Sequence, residues 1–150
     1  MTIPVLPDDR VRVSVPGRLV TSSCVAAARV LAGKPPGRIR AVLTRLRAGA
    51  RPATMAETAA AREEVLTVSP RCCGSRACVI RSLAVVLRCR LRGTWPTWCV
   101  GVLAAPPFAA HAWVEAEGEM VDEALDGTLY RRLITIGPDP DRVPEGGESR

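Results

Sequence analysis

Histidine is nearly missing from this 150-residue sequence: His111 is the only one. Acid–base chemistry near pH 7 by a side chain of ordinary pKa therefore falls to that residue. Aromatic residues make up 3% of the chain, and residues 1–51 contain none. That part has no ring on which a nucleic-acid base could stack. No apolar run approaches the roughly 18 residues of a membrane span. Asp8 and Asp9 interrupt the N-terminus before a signal-peptide core could form. The expectation is a cytoplasmic protein with no membrane span and no nucleic-acid partner. Paired Cys-x₂-Cys units are absent, and with a single imidazole the six cysteines do not make up a zinc ligand set. Reduced thiols are expected, with no metal and no cofactor. There are no internal repeats.

What is present is apolar residue, at 47%, and arginine. The first supports a hydrophobic core in one domain of this length. The second gives a formal charge of +6, concentrated in residues 1–51, where ten Lys/Arg face only Asp8 and Asp9. A basic face attracts acidic peptides, anionic surfaces or nucleic acid; a solvated helix face is the plainer reading.

Residues 1–9 read as an irregular lead-in. Arg10 to Val15 alternates apolar and polar, the period of a short strand, ended by Pro16-Gly17. Arg18 to Ala32 reads as a helix stopped by Gly33, and Pro35-Pro36 opens a second with Ile39, Val42, Leu43 and Leu46 on one stripe. Gly49 ends it. Thr54-Met55-Ala56-Glu57 has the form of a capping box at the start of a third helix, to about Leu66. Ser69-Pro70 breaks it, and Arg71 to Ser75 is a loop. A central helix follows from Arg76 to Arg92, with Ser75 as N-cap, Gly93 as C-cap and Cys78 in its first turn. Arg81, Arg88 and Arg92 form a basic stripe on it. Trp95 to Leu103, Ala109 to Ala116 and Leu129 to Ile136 read as strands, with Glu117-Gly118 as a hairpin turn into 119–122. Helices followed by an antiparallel sheet define an α+β domain over residues 1–136. Its basic helical part is 1–53, its core 54–136, and a flexible tail spans 137–150.

The chemistry centres on Cys78 and His111. A thiol is nucleophilic as thiolate. The free amides and positive dipole end of a helix N-terminus favour that form. An adjacent imidazole completes the activation and then protonates a leaving amine. A third group orients the imidazole from its other nitrogen, and Asp122 and Glu123 are the candidates across the hairpin. The Cys78 amide is one oxyanion donor. Cys72 and Cys73 are weaker candidate nucleophiles. Strand parity puts Trp113 and Glu115 on the face of His111, where Trp113 shields the ring and Glu115 either orders the site or sits at the sheet edge. Trp95 and Trp98 are candidates to line a substrate groove.

Cys78-x-x-Arg81-Ser82-Leu83-Ala84, followed by Pro107-Phe108-Ala109-Ala110-His111-Ala112-Trp113-Val114-Glu115, resembles the transglutaminase-like cysteine peptidases of lasso peptide biosynthesis. These are the leader peptidases encoded apart from their leader-binding partner. The resemblance covers residues 54–136 well and the N-terminal helices only in general character. It implies a papain-like core with the nucleophile at a helix N-terminus, and a Cys-His-Asp triad that cuts a ribosomally made precursor peptide between leader and core. The family position of the third member falls on Glu123, with Asp122 beside it; Asp122 is favoured of the two. Phe108, inside the motif, joins Trp113, Trp95 and Trp98 as a substrate-binding candidate. The position six before the nucleophile, where papain-type enzymes carry an oxyanion Gln, is Cys72. The implied partners are a small leader-binding protein, docking on the Arg18–Ala32 helix or on the edge of the Trp95–Leu103 strand, and an ATP-dependent macrolactam cyclase acting next. Two other readings stand beside this one: acyl transfer to an amine, as by a transglutaminase, and a non-catalytic basic interaction domain.

Overall fold

A computed structural model describes Leu6, residues 11–123 and residues 127–142. Four helices precede an antiparallel sheet, giving the expected α+β architecture.

Helix α1 spans Val15–Ala32. Residues 11–14 are irregular and Val15 is already helical, so the strand expected over residues 10–15 does not form over its described residues. Local capping explains why. The Ser14 hydroxyl accepts from the Gly17 amide at 3.2 Å, and Pro16 occupies the first turn, where its missing N–H costs nothing. An alternating pattern this short, with no partner strand among the described residues, does not outweigh those signals. Thr21, Cys24, Val25 and Ala28 form the buried stripe of α1. Helix α2, Pro36–Leu46, buries Ile39 and Leu43 and leaves Arg38, Arg40 and Arg45 exposed. Strand β1 (Arg51–Pro52) pairs in parallel with β2 (Thr94–Trp95).

The capping box forms at the start of α3, Met55–Val68. Thr54 Oγ1 accepts from the Glu57 amide at 3.2 Å, and the Glu57 carboxylate accepts from the Thr54 amide at 3.0 Å. After a 3₁₀ turn at Pro70–Cys73 comes α4, Cys78–Leu91. It starts two residues later than expected: Ala77, not Ser75, is the N-cap, and no side chain caps it. The Ala77 amide instead bonds the Gly74 carbonyl at 3.1 Å, so Ser75 and Arg76 lie in a turn. Residues 81–86 of α4 are all buried. The expected basic stripe divides accordingly. Arg88 and Arg92 pair with Glu64 of α3, whose carboxylate also accepts from Thr21 of α1. Arg81 turns inward at 5% exposure, and its guanidinium donates to the Cys72 carbonyl at 2.8 Å.

The four-stranded sheet has the order β5-β4-β3-β6, with β3 at Thr97–Leu103, β4 at Ala110–Ala116, β5 at Glu119–Met120 and β6 at Tyr130–Ile136. Glu117 (φ 54°) and Gly118 (φ 85°) make the hairpin turn between β4 and β5, both left-handed as a two-residue hairpin loop requires. Register places Gly101 beside both His111 and Arg132. Ala112, Val114, Trp98 and Ile136 join Leu83, Ala84 and Val86 of α4 in the core. Residues 137–142, from the stretch expected as a tail, are tied to the turn after α2: Arg47 donates to the Gly137 carbonyl, and the Gly49 amide to Asp139 at 2.9 Å. Among the described residues no helix is long and apolar enough to cross a membrane.

Burial of three indoles requires three acceptors, because an unpaired buried N–H costs about 1–3 kcal/mol. Trp95 donates to the Ile136 carbonyl at 3.2 Å, Trp98 to Ser82 Oγ at 3.0 Å, and Trp113 to Glu115 at 2.9 Å. Trp95 is 0% and Trp98 2% exposed. They are therefore core residues, and the substrate groove expected of them is corrected. Large planar rings with one polar atom suit both roles, and sequence alone does not separate them.

Gly101 is held by close approach. A Cβ there would stand 2.5 Å from the Arg131 carbonyl oxygen and 2.9 Å from the Trp113 ring. Gly101→Ala is expected to destabilise the fold by about 1–3 kcal/mol, since neither a paired strand nor a packed indole can yield. Urea unfolding monitored by tryptophan fluorescence measures this.

Candidate active site

Cys78 is the first residue of α4. Its amide lies among the helix-terminal N–H groups without intrahelical partners, at the positive end of the dipole. Arg81, one turn on, ties the preceding loop down through the Cys72 and Gly74 carbonyls. The helix N-terminus meets β4 at His111 and Ala112, where the sulfur hydrogen-bonds the imidazole and accepts from the Ala112 amide. Burial by itself raises the Cys78 thiol. Those two bonds, with the charges of His111 and Arg81, outweigh it and bring the thiol below its ordinary pKa. Burial likewise disfavours the imidazolium of His111. Hydrogen bonds to Cys78 and Glu123, and their charges, reverse this and push His111 up to about 9. The two shifts run in the same sense: each group favours the charged form of the other, thiolate on Cys78 and imidazolium on His111.

His111 Nε2 lies 3.2 Å from Glu123 Oε2. The structure thus brings Glu123, not the favoured Asp122, to the ring. Strand alternation does not decide between them, because β5 ends at Met120 and Asp122 adopts a left-handed φ of 46°. That turn leaves Asp122 exposed and delivers Glu123, at 12% side-chain exposure, to the imidazole.

Trp113 stacks on His111 with centroids 5.9 Å apart and planes 14° apart, as strand parity implied. Glu115, 8% exposed, accepts from the Trp113 indole and from Arg132 at 2.6 Å. Of its two expected roles, this one fixes the Trp113 ring. Phe108 is 70% exposed in the loop ahead of β4. Cys72 is fully buried, and Cys73 bonds the Leu66 carbonyl while burial raises its thiol. Neither is placed as a nucleophile. Burial also raises Cys24, Cys89 (to about 11) and Cys99 (to about 12), in contrast to Cys78.

Tyr130 had no sequence signal beyond being the only tyrosine. It opens β6 opposite Leu103 and sets its ring 5.4 Å from His111 and 5.1 Å from Trp113. Papain-type enzymes use a Gln side chain for the oxyanion; this chain contains neither Gln nor Asn. The oxyanion donors must be backbone amides or other side chains, and the Cys78 amide is placed to be one.

A thiol on a helix N-terminus, an imidazole on the adjoining strand and a carboxylate behind it define the cysteine-nucleophile α+β class. The family model described as transglutaminase-like superfamily matches residues 22–135, and the chain belongs to that superfamily. The match takes in most of α1 and all of α2, further toward the N-terminus than the motifs alone suggested. The domain type is that of cysteine proteases and acyltransferases. Comparison with curated proteins and with solved structures gave no match.

Proposed function

We propose that this protein is a cysteine peptidase that removes the leader from a ribosomally made lasso precursor peptide, with a leader-binding protein as its partner. The observation that carries the hydrolytic chemistry is the line Cys78–His111–Glu123. The thiolate attacks the scissile carbonyl, and the oxyanion that forms is met by the Cys78 amide. His111 gives its proton to the leaving amine as the C–N bond breaks, leaving a thioester on Cys78. Water, deprotonated by His111, then cleaves the thioester and restores the thiol pair. Glu123 holds the ring in orientation and stabilises its positive charge. The freed core peptide passes to an ATP-dependent cyclase.

The resemblance of the Cys78 and His111 motifs supports the choice of substrate. Of the two docking places expected for the partner, β3 has both edges paired, to β4 and β6. The α1 helix keeps Val15, Leu19 and Val30 at 67–74% exposure and is the better surface.

Mixing the protein with precursor peptide, with and without the leader-binding protein, and following products by mass spectrometry tests this reading. The expected result is one cut between leader and core, accelerated by the partner. Incorporation of an added amine at a Gln donor, without hydrolysis, would instead establish acyl transfer. The pH dependence has a fixed sign. kcat/KM rises as Cys78 deprotonates, below the usual thiol range, and falls again as His111 loses its proton near pH 9. A pH–rate profile that climbs steadily with no alkaline limb would contradict the ion pair.

A further inference from the structure

We infer that Tyr130 is a positioning residue whose ring, rather than its hydroxyl, keeps His111 in the imidazolium form that the Cys78 thiolate needs. His111, Trp113 and Tyr130 form a closed triangle with centroids 5.9, 5.4 and 5.1 Å apart. The imidazole thus lies within about 6 Å of two aromatic rings, the range over which a ring quadrupole attracts a cation. Trp113 and Tyr130 are held by different contacts. Trp113 is fixed by its bond to Glu115 and by the absence of a Cβ at Gly101. Tyr130 is fixed by the pairing of β6 with Leu103 of β3.

The charged groups around the ring divide cleanly. Cys78 from α4 and Glu123 from beyond β5 are acids that favour the imidazolium. Arg81 on α4 acts on the thiol. Glu115 on β4 and Arg132 on β6 compensate one another beside Trp113. Burial opposes the imidazolium, and the aromatic faces counter that loss where water is excluded. The Tyr130 phenol is itself raised, by burial first and then by the charges of Glu123 and Cys78, so it stays neutral through the working range. A neutral phenol brings no charge of its own to His111, and the contact the structure shows is ring to ring, at 5.4 Å between centroids.

Resting on the thiol–imidazole reading above but not on the identity of the peptide, this role is open to direct measurement. His111 is the only histidine, so its imidazole proton resonances in the untagged chain titrate without overlap. NMR titration of wild type, Tyr130→Phe, Tyr130→Leu and Tyr130→Met is the experiment, with circular dichroism to confirm folding. Wild type should titrate near pH 9. Tyr130→Phe should stay close to it, while the Leu and Met variants should fall by about half a unit to one unit. Either aliphatic variant suffices if the other fails to fold. A folded aliphatic variant with the wild-type midpoint would overturn the inference, as would a Phe variant that falls as far as Leu. A wild-type midpoint near the ordinary imidazole value, unmoved by Cys78→Ala, would refute the ion pair itself, a separate failure.

Discussion

Cys78→Ala is expected to lower peptide cleavage at least about 10³-fold while the protein stays folded and still binds its substrate. The size follows from the chemistry. The sulfur forms the bond to the acyl carbon, and no neighbouring group can replace it, because Cys72 is fully buried and Cys73 is engaged at the Leu66 carbonyl. Residues that act as one catalytic unit lose nearly all of its advantage when the nucleophile is removed. The fold should survive because Cys78 is only partly buried at a helix terminus. Loss of one sulfur there costs roughly 1 kcal/mol, a small part of the stability of a domain this size. Single-turnover cleavage with saturating peptide, beside a binding measurement on the same variant, separates a lost chemical step from lost affinity. Cleavage by folded Cys78→Ala at near wild-type rate would remove the thiol from the mechanism.

Glu123→Gln should cost roughly 10²–10⁴-fold, and Asp122→Asn almost nothing. The carboxylate at 3.2 Å from Nε2 holds the ring in orientation and helps raise His111 to about 9. Glutamine retains the shape but loses the charge. The imidazolium is then less favoured, and the amide can present its N–H₂ to the ring and stabilise the wrong tautomer. Asp122 is exposed, outside the hydrogen-bonded line. Its left-handed backbone matters more than its carboxylate, and Asn tolerates that conformation as well as Asp. The signature of a positioning role is a fall in kcat with an alkaline limb shifted to lower pH and KM little changed. A result in which Asp122→Asn is the damaging change would mean that the 121–123 turn rearranges when substrate binds.

The parts legible from sequence are those set by local rules. Thr54 and Glu57 cap α3, Pro35 and Pro36 open α2, and Glu117-Gly118 turns the hairpin, because each depends on neighbours within four residues. The motifs around Cys78 and His111 single out two residues that the fold brings together. What escaped depends on partners distant in sequence. Val11 and Val13 alternate like a strand but pair with no strand among the described residues. Arg81 occupies a helix face that suits a solvated cation, yet it is buried by a loop whose carbonyls it satisfies. Trp95 and Trp98 are core because β2 and β3 pass beneath α4. The choice between Asp122 and Glu123 turns on one positive φ, and Tyr130 reaches the site only through the β3–β6 register.

The proposed chemistry requires the sulfur opening α4 and the imidazole of β4 to act as one ion pair. Labelling with limiting iodoacetamide at slightly acidic pH, followed by peptide mapping of all six cysteines, tests it most directly. Cys78 should be modified first and far faster than the others, and His111→Ala should remove this preference. Even labelling of the accessible thiols, or a Cys78 rate untouched by His111→Ala, would contradict it.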